Sequence, residues 1–229
     1  MKSSFHPGFK PLSGKRYLIN AGPTREPIDP VRFISNYSSG KMGIALADCA
    51  AYLGAEVHLV LGTVSIKPSS QYIRIYNVTT ASEMAAECMR LFPDCDVAIL
   101  SAAVADFTPE TTSSIKIRKS SEPFFLKLVP TTDIASELGK IKKPDQILAG
   151  FALETDNELG NAIEKLKKKN LDIIVLNSLK DEGAGFGSDT NKITIIDKNN
   201  NIHKFGLKSK NEAAKDIIDK IISISKEIR

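Results

Sequence analysis

Short runs of uninterrupted apolar residues alternate along this chain with longer stretches whose apolar positions recur every three or four residues. That alternation limits the fold more than any other feature. A strand that is apolar on both faces must be covered on both, which means a parallel sheet with helices above and below. The strand-like runs are RYLINAG (16–22), EVHLVLG (56–62), YIRIYNV (72–78), CDVAILSAAVADF (95–107, a strand running into a loop), QILAGFALE (146–154) and DIIVLN (172–177). Helical patterns fall at about 81–91, 132–142, 157–170 and 208–227, the last with Ala214, Ile217, Ile218, Ile221 and Ile222 on one stripe. A further helix is expected from a Ser38 or Ser39 cap to about Leu53, where Gly54 stops it. SIKIRK (114–119) and FFLKLV (124–129) alternate as strands do and are expected as a hairpin or a flap outside the main sheet, and KITIIDKNNNIHKF (192–205) reads as a hairpin with an Asn-rich turn. Residues 23–37 and the Gly-rich 181–191 are expected loops. The predicted architecture is an α/β, Rossmann-like parallel-sheet domain covered by helices on both faces, with a protruding β flap. It comprises a leader at 1–14 and a single domain over 15–229. Sheets of this kind bind ligands at the carboxyl ends of their strands.

At 229 residues the chain can bury a full core. Its net charge of +4 suits a small anion and is too mild to argue for nucleic acid. No apolar run approaches the roughly 18 residues a bilayer span needs, so no membrane partner is expected either. MKSSFHPGFK has no apolar signal-peptide core. Cys49, Cys88 and Cys95 form no CxxC pair, and so odd and sparse a set suits a reducing, cytoplasmic setting. Cys49, in an Ala-rich helical run, reads as a small buried apolar residue. His6, His58 and His203 fall outside every motif, and no dedicated metal cage or Ser-His-Asp constellation appears.

SNYSSGKMG (35–43) comes close to two phosphate-binding motifs and matches neither. In the P-loop pattern, Ser35 stands where the first Gly belongs and Met42 where the Mg-binding hydroxyl belongs. Ser38, Gly40 and Gly43 fall at GxGxxG spacing. Ser38 again replaces the first Gly, and the acid expected about 20 residues later is missing, since that strand ends Leu61-Gly62-Thr63. NAD binding is therefore disfavoured. A Ser-Ser-Gly turn that opens a helix still offers free N–H groups and the positive dipole end to an anion. The ordinary alternative is a helix start with small residues for sheet packing.

Read with AGPTREPIDPVRFISN before it, the segment Ala21 to Gly43 resembles the bacterial phosphopantothenate–cysteine ligases, the phosphopantothenoylcysteine synthetases of coenzyme A biosynthesis. Further matches follow in the same order: SAAVADF (101–107), KIRK (116–119), TTDI (131–134), GFALET (150–155), KLKKKNLDIIVLN (165–177) and GFGSDTN (185–191). Together they span nearly the whole chain. The resemblance implies a CTP-dependent ligase. 4′-Phosphopantothenate attacks the α-phosphate of CTP with Mg²⁺ assisting, giving an acyl-cytidylate and pyrophosphate. The amine of L-cysteine then displaces CMP. It also implies a homodimer in which one subunit helps complete the other's site, with 114–129 and 192–205 as candidate contacts. In most bacteria the activity is the C-terminal half of a fused protein behind a flavin-dependent decarboxylase, so a phosphopantothenoylcysteine decarboxylase is a further partner to consider. Nothing in this sequence resembles that half.

Carried over residue by residue, the resemblance makes Asn36 and Lys116 the catalytic candidates. Asn36 would donate to the acyl oxygen without adding charge; as an ordinary loop Asn it would bond its own backbone. Lys116, on a mobile flap, would reach the triphosphate, with Lys119 beside it. Arg118 stands where the family has Lys, replacing a point charge with a fork. The nucleotide would be bound by Ala102, Asp106, Lys116, Lys119, Thr132, Asp133, Ile134, Phe151, Lys165 and Lys169. Thr132 stands where the family usually has Pro. The substrate would lie against Asn36, Ser38, Ser39, Gly40 and Ala103. Lys165 and Lys169, four apart on a predicted helix, share a face and taken alone read as solvated charges. Asp106 taken alone would be a turn cap, and Phe151 core packing. Mg²⁺ would arrive on the triphosphate. The rival readings are an NAD(P)-binding oxidoreductase, for which no hydride-site pair can be placed, and a non-catalytic regulatory paralogue of the ligase.

Overall fold

A computed structural model describes residues 10–154, 156–178 and 188–227. The chain enters through β1 (Arg16–Ala21) and a small antiparallel ribbon, β2 (Arg25–Pro27) with β3 (Phe33–Ser35), before α1 (Lys41–Tyr52). Then come β4 (Glu56–Leu61), β5 (Ile73–Asn77), α2 (Ala81–Leu91) with a 3-10 turn at Phe92–Asp94, and β6 (Val97–Leu100). β7 (Phe107–Pro109) pairs antiparallel with β8 (Leu128–Pro130). α3 (Ile134–Ile141), β9 (Ile147–Glu154), α4 (Glu158–Lys168) and β10 (Ile173–Ser178) follow. The described remainder is β11 (Thr190–Asn191), β12 (Ile193–Asp197), β13 (Ile202–Lys204), β14 (Lys208–Ser209) and α5 (Lys210–Glu227).

Among the described residues, eight strands form one sheet in the order β13-β12-β10-β9-β6-β1-β4-β5. From β10 to β5 the neighbours are parallel, as the apolar runs predict. Because successive residues point to opposite faces, each strand supplies two cores. Ile19, Leu59, Ile99, Ala149 and Val175 pack beneath α1 and α5. Leu18, Val60, Ala98, Leu148 and Ile174 pack beneath α2, α3 and α4. The expected cover on both faces is therefore present. β4 lies on one side of β1 and β6 on the other. The connections thus diverge around β1 and leave a crevice at the carboxyl ends of β1 and β6, where open α/β sheets bind ligands.

The structure corrects the sequence reading at several points. The 192–205 hairpin joins the main sheet, with β12 antiparallel to β10, so the sheet is parallel-dominated rather than wholly parallel. Its turn is closed by the Asp197 carboxylate, which accepts the N–H groups of Asn199 and Asn201 at 3.0 Å each. SIKIRK and FFLKLV do not pair with each other. Residues 114–119 form no strand, and the flap is instead the long excursion between β7 and β8. The loop 23–37 contains the β2–β3 ribbon. Neither Ser38 nor Ser39 caps α1; the helix starts after Gly40, whose φ is 76°. Glycine suits that left-handed φ, and a Cβ at Gly40 would also run into the Val64 side chain. Ser38 Oγ accepts the Gly40 N–H at 3.3 Å, shaping the turn before the helix.

Gly43, in the first turn of α1, lets the helix lie directly on the sheet: a Cβ there would overlap the Ala21 side chain and the Ser101 hydroxyl. In an unpacked helix Gly43→Ala would stabilise by about 1 kcal/mol. Here overpacking, worth about 1–3 kcal/mol, should win. Urea unfolding should show a lower midpoint with unchanged slope. An equal or higher midpoint would mean that α1 can back away from the sheet freely.

Candidate functional site

The chain leaving β6 passes over the crevice as Ser101–Asp106, and side chains from other segments hold its main-chain groups in place. Asn20, the penultimate residue of β1 and 2% exposed, accepts the Ala102 N–H through Oδ1 at 2.9 Å. Ser101 Oγ donates to the Asn20 carbonyl at 2.7 Å. Buried Thr24 accepts the Ala105 N–H at 3.0 Å, and Thr131 Oγ1 donates to the Ala105 carbonyl at 2.6 Å. Asn36 Nδ2 donates to the carbonyls of Ala103 and Val104, at 3.1 Å each. Both amide hydrogens of Asn36 are thus engaged. The atom with no partner among the described residues is its acceptor, Oδ1, which differs from the donor role expected above.

Two cavities flank this segment and share Ala102, Ala103, Phe151 and Leu153 as a common wall. The larger is a cleft of about 440 Å³ lined by Asn36, Asp106, Thr132, Asp133, Ile134, Phe151, Lys165 and Lys169, over a floor of Asn20, Leu100 and Gly150. Lys165 and Lys169 do not stand free in solvent. Lys165 Nζ meets Glu154 Oε1 at 2.5 Å, and Lys169 Nζ meets Asp133 Oδ2 at 2.9 Å. Asp133 caps α3 by accepting the Ser136 N–H at 3.1 Å, so the helix predicted from 132 begins at Ile134. Burial pushes the Asp133 carboxyl up, but hydrogen bonds from Lys169 and Ser136 outweigh it and hold its pKa below the ordinary value. Asp106 is exposed at the cleft, and no described residue bonds its carboxylate.

The smaller cavity, about 160 Å³, lies at the start of α1. Ser38, Ser39 and Gly40 line it, with Lys41, Asn177, Asn191 and Lys210. Asn177 Oδ1 is buried there without a hydrogen-bond partner among the described residues, an acceptor that a ligand donor would satisfy. Lys210 donates to the carbonyls of Ser188 and Thr190, at 2.5 and 3.1 Å. Burial, reinforced by Lys41, lowers its pKa against the opposing pull of Asp189. Of GFGSDTN, the first three residues lie outside the described part, as does Thr155 of GFALET.

Asn36, Ala102, Ala103, Asp106, Thr132, Asp133, Ile134, Phe151, Lys165 and Lys169 all line the cleft, though they come from five separate stretches of sequence. Lys116 and Lys119, with Arg118, are exposed and line neither cavity. The main chain beside them is pinned elsewhere: Ile117 N–H donates to Asp29 Oδ2 at 3.1 Å, and Arg32 Nη2 to the Ile117 carbonyl at 2.6 Å. Sequence reasoning missed Asn20, Lys41, Glu154, Asn177, Asn191 and Lys210. The signal for Asn20 and Asn177 was present: each is a polar residue at the carboxyl end of an apolar strand run.

Fold and site together define a doubly wound α/β domain with a two-part cleft at its topological switch point, each part lined by two lysines. The chain belongs to the family described as the DNA/pantothenate metabolism flavoprotein C-terminal domain, whose profile matches residues 12–224. It is 45% identical over 217 residues to the coenzyme A biosynthesis bifunctional protein CoaBC of Bacillus subtilis (strain 168), covering 95% of this chain and 53% of that one. It is 65% identical over 215 residues to a protein of an unknown prokaryotic organism named cysteine/cysteine sulfinic acid decarboxylase, covering 94% of this chain and 60% of that one. The chain therefore spans little more than half the length of these relatives. The crystal structure of the C-terminal domain of CoaBC matches with a TM-score of 0.82 at 38% identity, covering 95% of this chain and 99% of that one. A Cab2 mutant in complex with phosphopantothenate-cysteine shares the fold, with a TM-score of 0.77 at 18% identity over 93% of this chain and 87% of that one. No helix among the described residues is long and apolar enough to cross a membrane. No group of three or more His, Cys, Asp or Glu among them could hold a metal ion.

The anchor at Ile117 gives a test of flap geometry. The Asp29 side chain is inaccessible to solvent, and bonds from Arg32 and from the N–H groups of Val31, Ile117 and Arg32 hold its pKa far below the ordinary carboxylate value. A depressed folded pKa contributes stability above the unfolded value, about 3.9, that is lost as pH falls through the folded one. Asp29→Ala should therefore be less stable than the wild type at neutral pH, with the gap closing in acid. It should also be cut faster by trypsin after Lys116 or Arg118. Equal cutting rates would show that Asp29 does not anchor the flap.

Proposed function

We propose that this chain catalyses the CTP-dependent ligation of 4′-phosphopantothenate to L-cysteine in cytoplasmic coenzyme A biosynthesis. One observation carries the reading: residues matching the ligase motifs from separate parts of the sequence line two adjoining cavities at one end of the sheet. The cleft with Lys165 and Lys169 suits a nucleoside triphosphate. The cavity at the start of α1 suits the phosphorylated pantothenate chain. It offers helix N–H groups, Lys41 and Lys210 to an anion and the unpartnered Asn177 Oδ1 to an amide N–H or hydroxyl. The wall of Ala102 and Ala103 is where the reacting carboxylate and α-phosphate would meet, because small side chains there leave room for both.

In the first step a carboxylate oxygen of 4′-phosphopantothenate bonds to the α-phosphorus of CTP and pyrophosphate leaves. Lys165 and Lys169 would offset the charge that two anions bring together. Mg²⁺ would be held chiefly by triphosphate oxygens, as its coordination habits favour, with Asp106 the candidate protein oxygen. In the second step the neutral amine of cysteine attacks the acyl carbon, CMP leaves, and the amine loses a proton. Asn36 would serve here in two ways. Its Nδ2 holds the Ala103–Val104 wall, and its free Oδ1 can accept a hydrogen bond from the incoming amine. Lys116 and Lys119 would reach the triphosphate if the segment between β7 and β8 swings over the cleft, or if a second copy of the chain completes the site. A homodimer, and a phosphopantothenoylcysteine decarboxylase as partner, belong to the same proposal.

The test is a reaction with 4′-phosphopantothenate, Mg²⁺ and CTP, cysteine withheld, with ATP in parallel. Pyrophosphate and an acyl-cytidylate by mass spectrometry are expected, then phosphopantothenoylcysteine once cysteine is added. No pyrophosphate from folded protein with either nucleotide would favour the non-catalytic paralogue. Carbon dioxide release from cysteine or cysteine sulfinate would favour the decarboxylase name of the 65% identical relative. Lys165→Ala should raise KM for the nucleotide about 10- to 100-fold, the loss of a charge-assisted bond of about 1.5–3 kcal/mol. Asn36→Ala should slow consumption of the acyl-cytidylate more than its formation. Equal slowing of both steps would sink the role given to Asn36.

A further inference from the structure

The two lysines of the larger cleft are each tied to a carboxylate, and the two ties differ. Glu154 ends β9 with its side chain only 10% exposed, and it holds Asn161 Nδ2 at 3.3 Å as well as Lys165. Freeing Lys165 would strand a buried carboxylate, which is costly. Asp133 sits at the rim with its side chain 47% exposed. Water can solvate it once Lys169 leaves, so that tie is weak. The two oxygens of Asp133 also have separate tasks. Oδ1 accepts the Ser136 N–H that caps α3, and Oδ2 meets Lys169 Nζ.

We propose that Asp133 is a built-in counter-anion that competes with bound polyphosphate for Lys169, limiting how tightly pyrophosphate is held and so promoting its release. The proposal rests on the reading of this cleft as a nucleotide site. A phosphate oxygen arriving at Lys169 displaces Asp133 Oδ2, while Lys165 stays oriented by Glu154 throughout. The Asp133 carboxylate thus positions a cation and opposes the ligand's charge.

Asp133→Asn isolates this role, because Asn caps a helix as well as Asp does. The amide keeps an oxygen for Ser136 and loses the charge facing Lys169. The probe is Mg-free pyrophosphate, titrated calorimetrically at low salt. Asp133→Asn should bind it about three- to tenfold more tightly than the wild type, the scale of an exposed ion pair removed together with its repulsion. The difference should shrink at 0.5 M salt (a chosen condition, about 4 Å of screening length by the usual scaling). Lys169→Ala should weaken binding and cancel the effect of Asp133→Asn in the double variant. In turnover, pyrophosphate should inhibit Asp133→Asn more strongly. Equal or weaker binding by Asp133→Asn, or no pyrophosphate binding by the wild type, would overturn the proposal. Tighter binding by the variant in a protein without ligase activity would leave the counter-anion standing and remove the proposed reaction instead.

Discussion

The architecture of the site depends on satisfying the main chain of one segment. Between β6 and β7 the backbone leaves the sheet, keeping only a short bridge to the residues after β1 at Ala103, and most of its other N–H and C=O groups need side-chain partners. Asn20, Thr24, Asn36 and Thr131 provide them. Each comes from a different part of the chain, so the segment can hold its course only when β1, the β2–β3 approach and the start of the α3 region are all in place. The small side chains of Ala102 and Ala103 then leave this fixed backbone bare toward the two cavities. An uncharged wall results, shared by two cavities that each carry two lysines elsewhere in their lining.

Charge within that cleft is balanced rather than simply positive. Lys165 and Lys169 converge on a place suited to phosphates, yet Glu154 and Asp133 meet them first. Left unpaired, the two lysines would repel one another. Paired as they are, the lysines tie α4 to β9 and to the cap of α3 and remain close to the ligand space. The smaller cavity follows a different logic. There a helix start, the half-buried Lys210 and an unsatisfied Asn177 oxygen leave polar demands that a ligand would meet. On the proposed function, the two cavities would hold the two anionic substrates on either side of one neutral wall.

The sheet and both helical layers were legible in the sequence because apolar period and run length report burial directly. The candidate site was legible only in part. The motif stretches named most of the cleft residues, but pattern alone could not say that Lys165 and Lys169 are paired. Ion pairs depend on what the fold places opposite, and Asp133 and Glu154 are distant in sequence from one another. The flap was misread for a related reason. SIKIRK and FFLKLV carry a strand period, but the hydrogen bonds of that region are taken by β7 with β8 and by the Asp29–Arg32 anchor on Ile117. Asn20 and Asn177 went unread because a single polar residue after an apolar run looks like a strand end rather than a site.

By itself, the sequence determined the class of fold, the order of its layers and which segments could approach a ligand, since these follow from local periodicity and from the residue types at strand ends. The tertiary structure decided which atoms are free to act. Among the described residues it engaged both amide hydrogens of Asn36 and left its oxygen, paired the two cleft lysines, buried an unpartnered oxygen on Asn177 and set Lys116 outside the two cavities. Hydrogen bonds and ion pairs are made between groups brought together only when the chain has folded, and no local pattern encodes which of several possible partners will be nearest.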